Sequence, residues 1–109
     1  LFGMAKACEL TWSGKMIDAE EALALGIVSE LSTPEELMKT TLEMAATFAE
    51  GPPIAIRMAK RAMYKSMDSS LREALEYETY AQNICSSSQD AKEGIAAFVE
   101  KRDPQFKGA

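Results

Sequence analysis

Carboxylates are the groups with the widest chemical reach in this chain, seventeen of them against twelve lysines and arginines. Two carboxylates facing one substrate can divide general acid and general base work between them. The adjacent pairs Glu20/Glu21 and Glu35/Glu36 do not meet that requirement, because neighbours on a helix point in different directions; they read as helix-start charges. Glu73 and Glu76 share a face, but Arg72 lies four residues before Glu76, the spacing of an ordinary surface pair. Glu78 differs, since helical periodicity sets it on one strip with Leu71, Leu75 and Ala81. It is read as a carboxylate at the edge of a packed face, or one paired with a cation. Arg57, Arg61 and Lys65 recur at i, i+4 and i+8 with Lys60 beside them, a cationic helix face. The chain has no histidine, which removes Ser-His-Asp and Cys-His catalysis and the commonest metal ligand. Cys8 and Cys85 are expected to be small buried hydrophobes, neither a disulfide nor a metal site.

Helix after helix must carry these groups. Met4 to Leu10 or Thr11 is helix-friendly, and Ser13-Gly14 breaks it. Asp18 with Glu21 forms a D-x-x-E start, and Gly26 sits where a helix C′ residue belongs, which predicts a short helix over Ala19–Leu25. Ile27–Leu31 alternates and is expected to be extended. Thr33-Pro34-Glu35-Glu36 is a helix start, with Thr33 as N-cap, Pro34 at N1 and Glu36 at N3. Leu37, Thr41, Met44, Ala45 and Phe48 then line one face, and Gly51-Pro52-Pro53 ends that helix. The next runs from about Pro53 to Ser66, with Ile54, Met58, Ala62 and Met63 on its apolar side. Ser70-Leu71-Arg72-Glu73 opens another, reaching about Cys85, with Leu71, Ala74, Leu75, Ala81 and Cys85 facing inward. Tyr77, Tyr80 and Ile84 make a second apolar strip, more burial than one neighbouring layer provides. Ser86-Ser87-Ser88 is read as a hinge. Asp90 and Glu93 form a last D-x-x-E start, Ala91, Ile95, Phe98 and Val99 share a face, and Pro104 forbids much continuation.

One hundred and nine residues bound the chain to one domain or part of one. Apolar residues at 47% and charged residues at 27% are ordinary for a globular protein. No apolar run reaches the ~18–20 residues that span a bilayer, and no charged lead with an apolar core marks secretion. A net charge of −5 argues against general nucleic-acid binding. A cytoplasmic location, or a mitochondrial matrix in a eukaryote, fits the cysteine usage. The chain opens on Leu1 within a helix-like pattern, which suggests a polypeptide entered partway through.

Five segments, in order, cover nearly the whole chain and resemble the enoyl-CoA hydratase/isomerase (crotonase) superfamily. Ala7-Cys8-Glu9-Leu10-Thr11-Trp12-Ser13-Gly14 looks like "A.EL.LTG", and Ile17-Asp18-Ala19-Glu20-Glu21-Ala22 with Leu25-Gly26-Ile27-Val28 looks like "I.A.EA...GLV". Pro34-Glu35-Glu36-Leu37 resembles "P.EEL", and Gly51-Pro52-Pro53 with Ala55 and Lys60 resembles "PP.A....K". The run from Asp90 to Gly108 is similar to the closing signature "D..EG..AF.EKR.P.F.G". Each motif alone is weak, but five in the family's order are specific.

The resemblance implies a mainly α chain, the helical C-terminal part of the ββα-spiral crotonase fold, with at most a short extended segment near 27–31. It divides the chain into residues 1–31, the end of the spiral core, and 32–109, a helical assembly region. The family works on acyl-CoA thioesters through an enolate, held by an oxyanion hole of two backbone amides and worked on by one or two glutamates. By resemblance those groups precede Leu1, so the chain alone is expected to be inactive, with no catalytic residue of its own and no cofactor beyond the coenzyme A of the substrate. The resemblance also implies a homo-oligomer, a trimer or hexamer, with neither a nucleic acid nor a membrane as partner. Phe98 and Lys101 match the family's phenylalanine and lysine that reach the adenine and phosphate end of CoA in a neighbouring subunit. The competing reading makes Phe98 core and Lys101 a helix C-terminal cation. Arg57, Lys60, Arg61 and Lys65 form either a phosphate-attracting patch or a solvated face, and Trp12 is either packing or an acyl-chain contact. A rival from another class is a self-associating helical module without catalytic or CoA-binding activity.

Overall fold

Capping chemistry decides where the helices begin. The computed structural model describes residues 3–109, and its helices are α1 (Gly3–Ser13), α2 (Ala19–Ala24), α3 (Leu37–Ala49), α4 (Pro53–Ser66), α5 (Leu71–Ser87) and α6 (Gln89–Glu100). The chain is mainly helical, with no strand among the described residues. It divides into two compact units, Leu1–Leu42 and Glu43–Ala109.

In the first unit the Asp18 carboxylate accepts from the Glu21 amide at 2.8 Å, the N-cap of α2. Lys15 reaches back to Glu21 at 2.6 Å, and that carboxylate raises the Lys15 pKa. α2 closes as a Schellman motif, with Gly26 N–H donating to Leu23 and Ile27 N–H to Ala22, both at 2.9 Å. Gly26 has φ +70°, a conformation glycine takes without a Cβ clash. Residues 27–29 then bend, and no ladder forms over 27–31. A strand needs a neighbour for its amides and carbonyls, and none is described. Thr33 caps as expected, its hydroxyl and carbonyl accepting from Glu36 at 3.3 Å and from Leu37 at 2.9 Å.

In the second unit Pro53 occupies the first turn of α4, where its missing N–H costs nothing. Ser70 and Glu73 form a reciprocal capping box at the start of α5. The Ser70 amide, then its hydroxyl, hold the Glu73 pKa below the usual carboxylate value. α4 and α5 pack through Met58 and alanines: Met58 and Ala81 are buried, Ala62 and Ala74 half-buried, and the Tyr77 hydroxyl donates to the Met58 sulfur at 3.7 Å. The expected inner residues Leu71 and Leu75, and Met63 of α4, are exposed instead. Alanines let the helix axes approach along the line of Ala74, Ala81 and Cys85, and the leucines fall to one side of it. Likewise Leu37, Met44 and Phe48 of α3 stay exposed.

The serine hinge shrinks to one residue. α5 continues through Ser87, and Ser88 is both the C-cap of α5 and the N-cap of α6, its hydroxyl accepting from the Ala91 amide at 3.1 Å. With Ser88 in that place, Asp90 and Glu93 are not the cap of their own helix. Their carboxylates hold the chain that returns along α6. Asp90, 4% exposed, accepts from the amides of Lys107 at 2.7 Å and Gly108 at 2.9 Å. The amides of Gln89 and Asp90, unpaired within the helix, donate to the Ala109 carbonyl at 2.6 and 3.3 Å. Phe106 lies across Gly94, its ring 3.6 Å from where a Cβ would stand. Gly108 has φ +75°, and a Cβ there would come 3.0 Å from Pro53, so both backbone and space require glycine. The strap lies over Asp90 and Gly94, on the same line of α6 as Ala97, which is 1% exposed. The expected face of Ile95, Phe98 and Val99 therefore points outward.

Replacing Asp90 by Ala leaves two strap amides without their charged acceptor. A loss of about 1–3 kcal/mol in unfolding free energy is expected by urea denaturation, with Asp90→Asn losing less because its amide oxygen still accepts. An Asp90→Ala protein as stable as the parent contradicts the clamp.

Candidate functional site

The last turn of α6 and the strap after it bring together the Phe98 and Lys101 pair singled out from sequence. Phe98 is 74% exposed, so the core reading of this residue fails within the chain. Lys101 ends α6 in the left-handed conformation, φ 57° and ψ 40°, and is the one non-glycine residue with positive φ among those described. Its amide donates to the Ala97 carbonyl, and the Arg102 amide closes on the same carbonyl at 3.1 Å. As after Gly26, the amide that follows the left-handed residue bonds five residues back, here with a lysine in the left-handed place. The Lys101 ammonium sits over the Phe98 ring, 4.7 Å from its centroid, a cation–π distance.

Arg102 faces the other way. Its guanidinium forks onto Glu93 at 2.5 and 2.9 Å and takes Glu100 at 2.6 Å. Glu93 also accepts from the Gln105 amide at 2.8 Å. Arg102 first, and the Gln105 amide second, pull the Glu93 pKa down from 4.5 to about 2; the two carboxylates push that of Arg102 up. Lys101 itself forms no salt bridge among the described residues. Arg102 of the Glu-Lys-Arg run thus takes Glu93 and Glu100, and its neighbour Lys101 is left on the Phe98 ring. The sequence reading missed Glu93, Arg102 and Gln105 as a unit. The available signal was Pro104 ending the helix shortly after Arg102, which turns the chain back toward Glu93.

The four cations of α4 do not stay together. Arg57, Lys60 and Arg61 rim an open groove of 590 Å³ floored by Phe48, Pro53, Ile56 and Tyr64. Lys65 lies one face round, 5.2 Å from the Tyr77 ring centroid on α5. Of the carboxylates weighed from sequence, Glu21 pairs with Lys15, Glu36 and Glu73 serve caps, and Glu78 is exposed, not packed. Cys8 and Cys85 are half-buried free thiols. No group of three metal-ligating side chains occurs among the described residues, and no helix there is long and apolar enough to cross a membrane. Trp12 is 82% exposed, so packing within this chain is not its role.

Comparison with known proteins places this geometry in context. Residues 1–109 match the enoyl-CoA hydratase/isomerase family model. A short-chain-enoyl-CoA hydratase of Clostridium acetobutylicum is 36% identical over 102 residues, 94% of this chain and 39% of that protein. A probable mitochondrial enoyl-CoA hydratase 2 of Arabidopsis thaliana is 37% identical over 108 residues, 99% of this chain and 36% of that one. The crystal structure of an enoyl-CoA hydratase from Bacillus anthracis superimposes with a TM-score of 0.91 at 35% identity, over 100% of this chain and 42% of that chain. The chain spans about two fifths of the length of these relatives.

The Glu93 clamp carries a pH dependence. Its folded-state pKa lies below the ordinary value, so its stabilisation is complete above 4.5 and is lost as pH falls toward about 2. Hydrogen exchange at the Gln105 amide is expected to lose protection across that window, and Glu93→Gln to abolish the dependence.

Proposed function

The chain belongs to the enoyl-CoA hydratase/isomerase family, and from that we propose that it is the helical C-terminal part of an enzyme that adds water to 2-enoyl-CoA thioesters by way of an enolate. The match of the whole chain to the family carries this reading; the closing signature from Asp90 to Gly108, last in the order of five motifs, supports the C-terminal placement. Residues 1–31 then end the spiral core, and 32–109 assemble subunits and contact the nucleotide end of coenzyme A.

Phe98 and Lys101 are the proposed CoA contacts. An exposed ring suits an adenine face and a free ammonium suits a phosphate, and both conditions hold where the pair stands. Arg57, Lys60 and Arg61 are a second, weaker attraction for phosphate; Lys65, turned to Tyr77, leaves that group. General acid, general base and oxyanion hole are assigned to the rest of the polypeptide, with coenzyme A entering only as part of the substrate. The exposed apolar residues of α3, α5 and α6 support covering by that remainder or by a neighbouring subunit of a homo-oligomer. The same exposed strips favour the rival reading, self-association without ligand.

Three measurements test these readings. Pure isolated chain should hydrate no crotonyl-CoA above background, and turnover by it overturns the assignment of catalysis to the missing part. The encoding frame should place most of a relative's length before Leu1; a frame in which that length follows Ala109 overturns the C-terminal placement. CoA titration should move the Phe98 and Lys101 resonances, whereas unmoved signals with concentration-dependent sedimentation favour the self-association module.

A further inference from the structure

The left-handed position that closes α2 is filled by Gly26, and the same position that closes α6 is filled by Lys101. A side chain there is disfavoured sterically, because Cβ approaches the following carbonyl. The fold nevertheless holds it, and the result is an ammonium laid back over the Phe98 ring. Three contacts fix this turn from outside α6. Arg102, the next residue, is forked onto Glu93. Gln105 donates its amide to the same Glu93 carboxylate. Lys107 and Gly108 donate theirs to Asp90. Arg102 also removes Glu100 from the reach of Lys101, since the guanidinium holds that carboxylate at 2.6 Å.

We propose that Glu93 and Arg102 are positioning residues for Lys101: the ion pair locks residue 101 in its left-handed turn, sets its ammonium over Phe98, and keeps Glu100 from neutralising it. Resting on the CoA contact proposed above, this makes the Glu93–Arg102 pair a determinant of affinity for the phosphorylated nucleotide end of the ligand without touching it. The physical gain is preorganisation. A flexible lysine that must be ordered on binding gives up affinity, and one already held in place does not.

The test uses the complete polypeptide that carries this chain, with lysines reductively ¹³C-dimethylated so that each ammonium stays charged and reports by NMR. The Lys101 methyl signal is expected to carry an upfield ring-current shift that vanishes in Phe98→Leu. In Glu93→Gln, and in Arg102→Lys should the first variant fold poorly, that shift should collapse toward the values of the other lysines. CoA should then bind about threefold to tenfold more weakly, the scale of one long side chain left unordered. The loss should vanish in a Lys101→Ala background, because the pair acts through that residue. Lys101→Gly should melt no lower than the parent, since it relieves the left-handed strain, and yet bind CoA more weakly. An unchanged Lys101 shift in well-folded Glu93→Gln and Arg102→Lys overturns the positioning role, and so does an affinity loss that persists without Lys101. A collapsed shift with unchanged CoA affinity upholds the lock and overturns the nucleotide contact instead.

Discussion

Two carboxylates one helical turn apart hold the strap to α6, and much of the second unit depends on them. Asp90 and Glu93 accept three backbone amides and a guanidinium from residues 102–108. The magnitudes favour the strap over a frayed end. A left-handed non-glycine residue costs about 1–2 kcal/mol, while a hydrogen bond to a charged group contributes about 1.5–3 kcal/mol, and Asp90, being buried, keeps most of that strength. Gly94 leaves room for the Phe106 ring, and Gly108 lets the strap pass beside Pro53. The letters D, E, G, F and G of the closing signature thus describe one folded object, an α6 with its own returning tail.

The strap decides what α6 shows to its surroundings. It covers Asp90 and Gly94, and Ile95, Phe98 and Val99 lie outward. A similar inversion occurs where α4 and α5 meet. Met58, Tyr77 and alanines form the contact, and Met63, Leu71 and Leu75 are exposed. Bulky apolar side chains left outside on several helices are surfaces that suit a further layer. Because the chain covers about two fifths of its relatives' length, the proposed remainder of the fold is the economical source of that layer.

Local hydrogen bonding made much of the helical frame legible. Asp18, Pro53 and the Ser70/Glu73 box each act within three or four residues of themselves and stand where the sequence reading put them, while the Thr33 start opens a turn over 34–36 and α3 itself begins at Leu37. The Asp90/Glu93 pattern misled because acceptors of this type serve their own first turn or a distant amide equally well. Ser88, two residues earlier, already capped α6 and released both carboxylates. Ile27–Leu31 misled for a related reason, since alternation describes a strand only where a neighbour completes its ladder. Of the site, the spacing of Phe98 and Lys101 was visible, but the role of Arg102 was not, because its partner Glu93 is nine residues away.

By itself the sequence determined the helix starts at Asp18, Pro53 and Ser70, the lack of any histidine, and the family, since all of these rest on residue type and short spacing. Only the tertiary structure decided which stripe of each helix is covered, that Phe98 is exposed, that Lys65 meets the Tyr77 ring, and that Lys101 forms no salt bridge among the described residues. Those outcomes depend on which distant segment takes a given face, and the fold settles that by backbone closure and by pairs such as Arg102 with Glu93, nine residues apart.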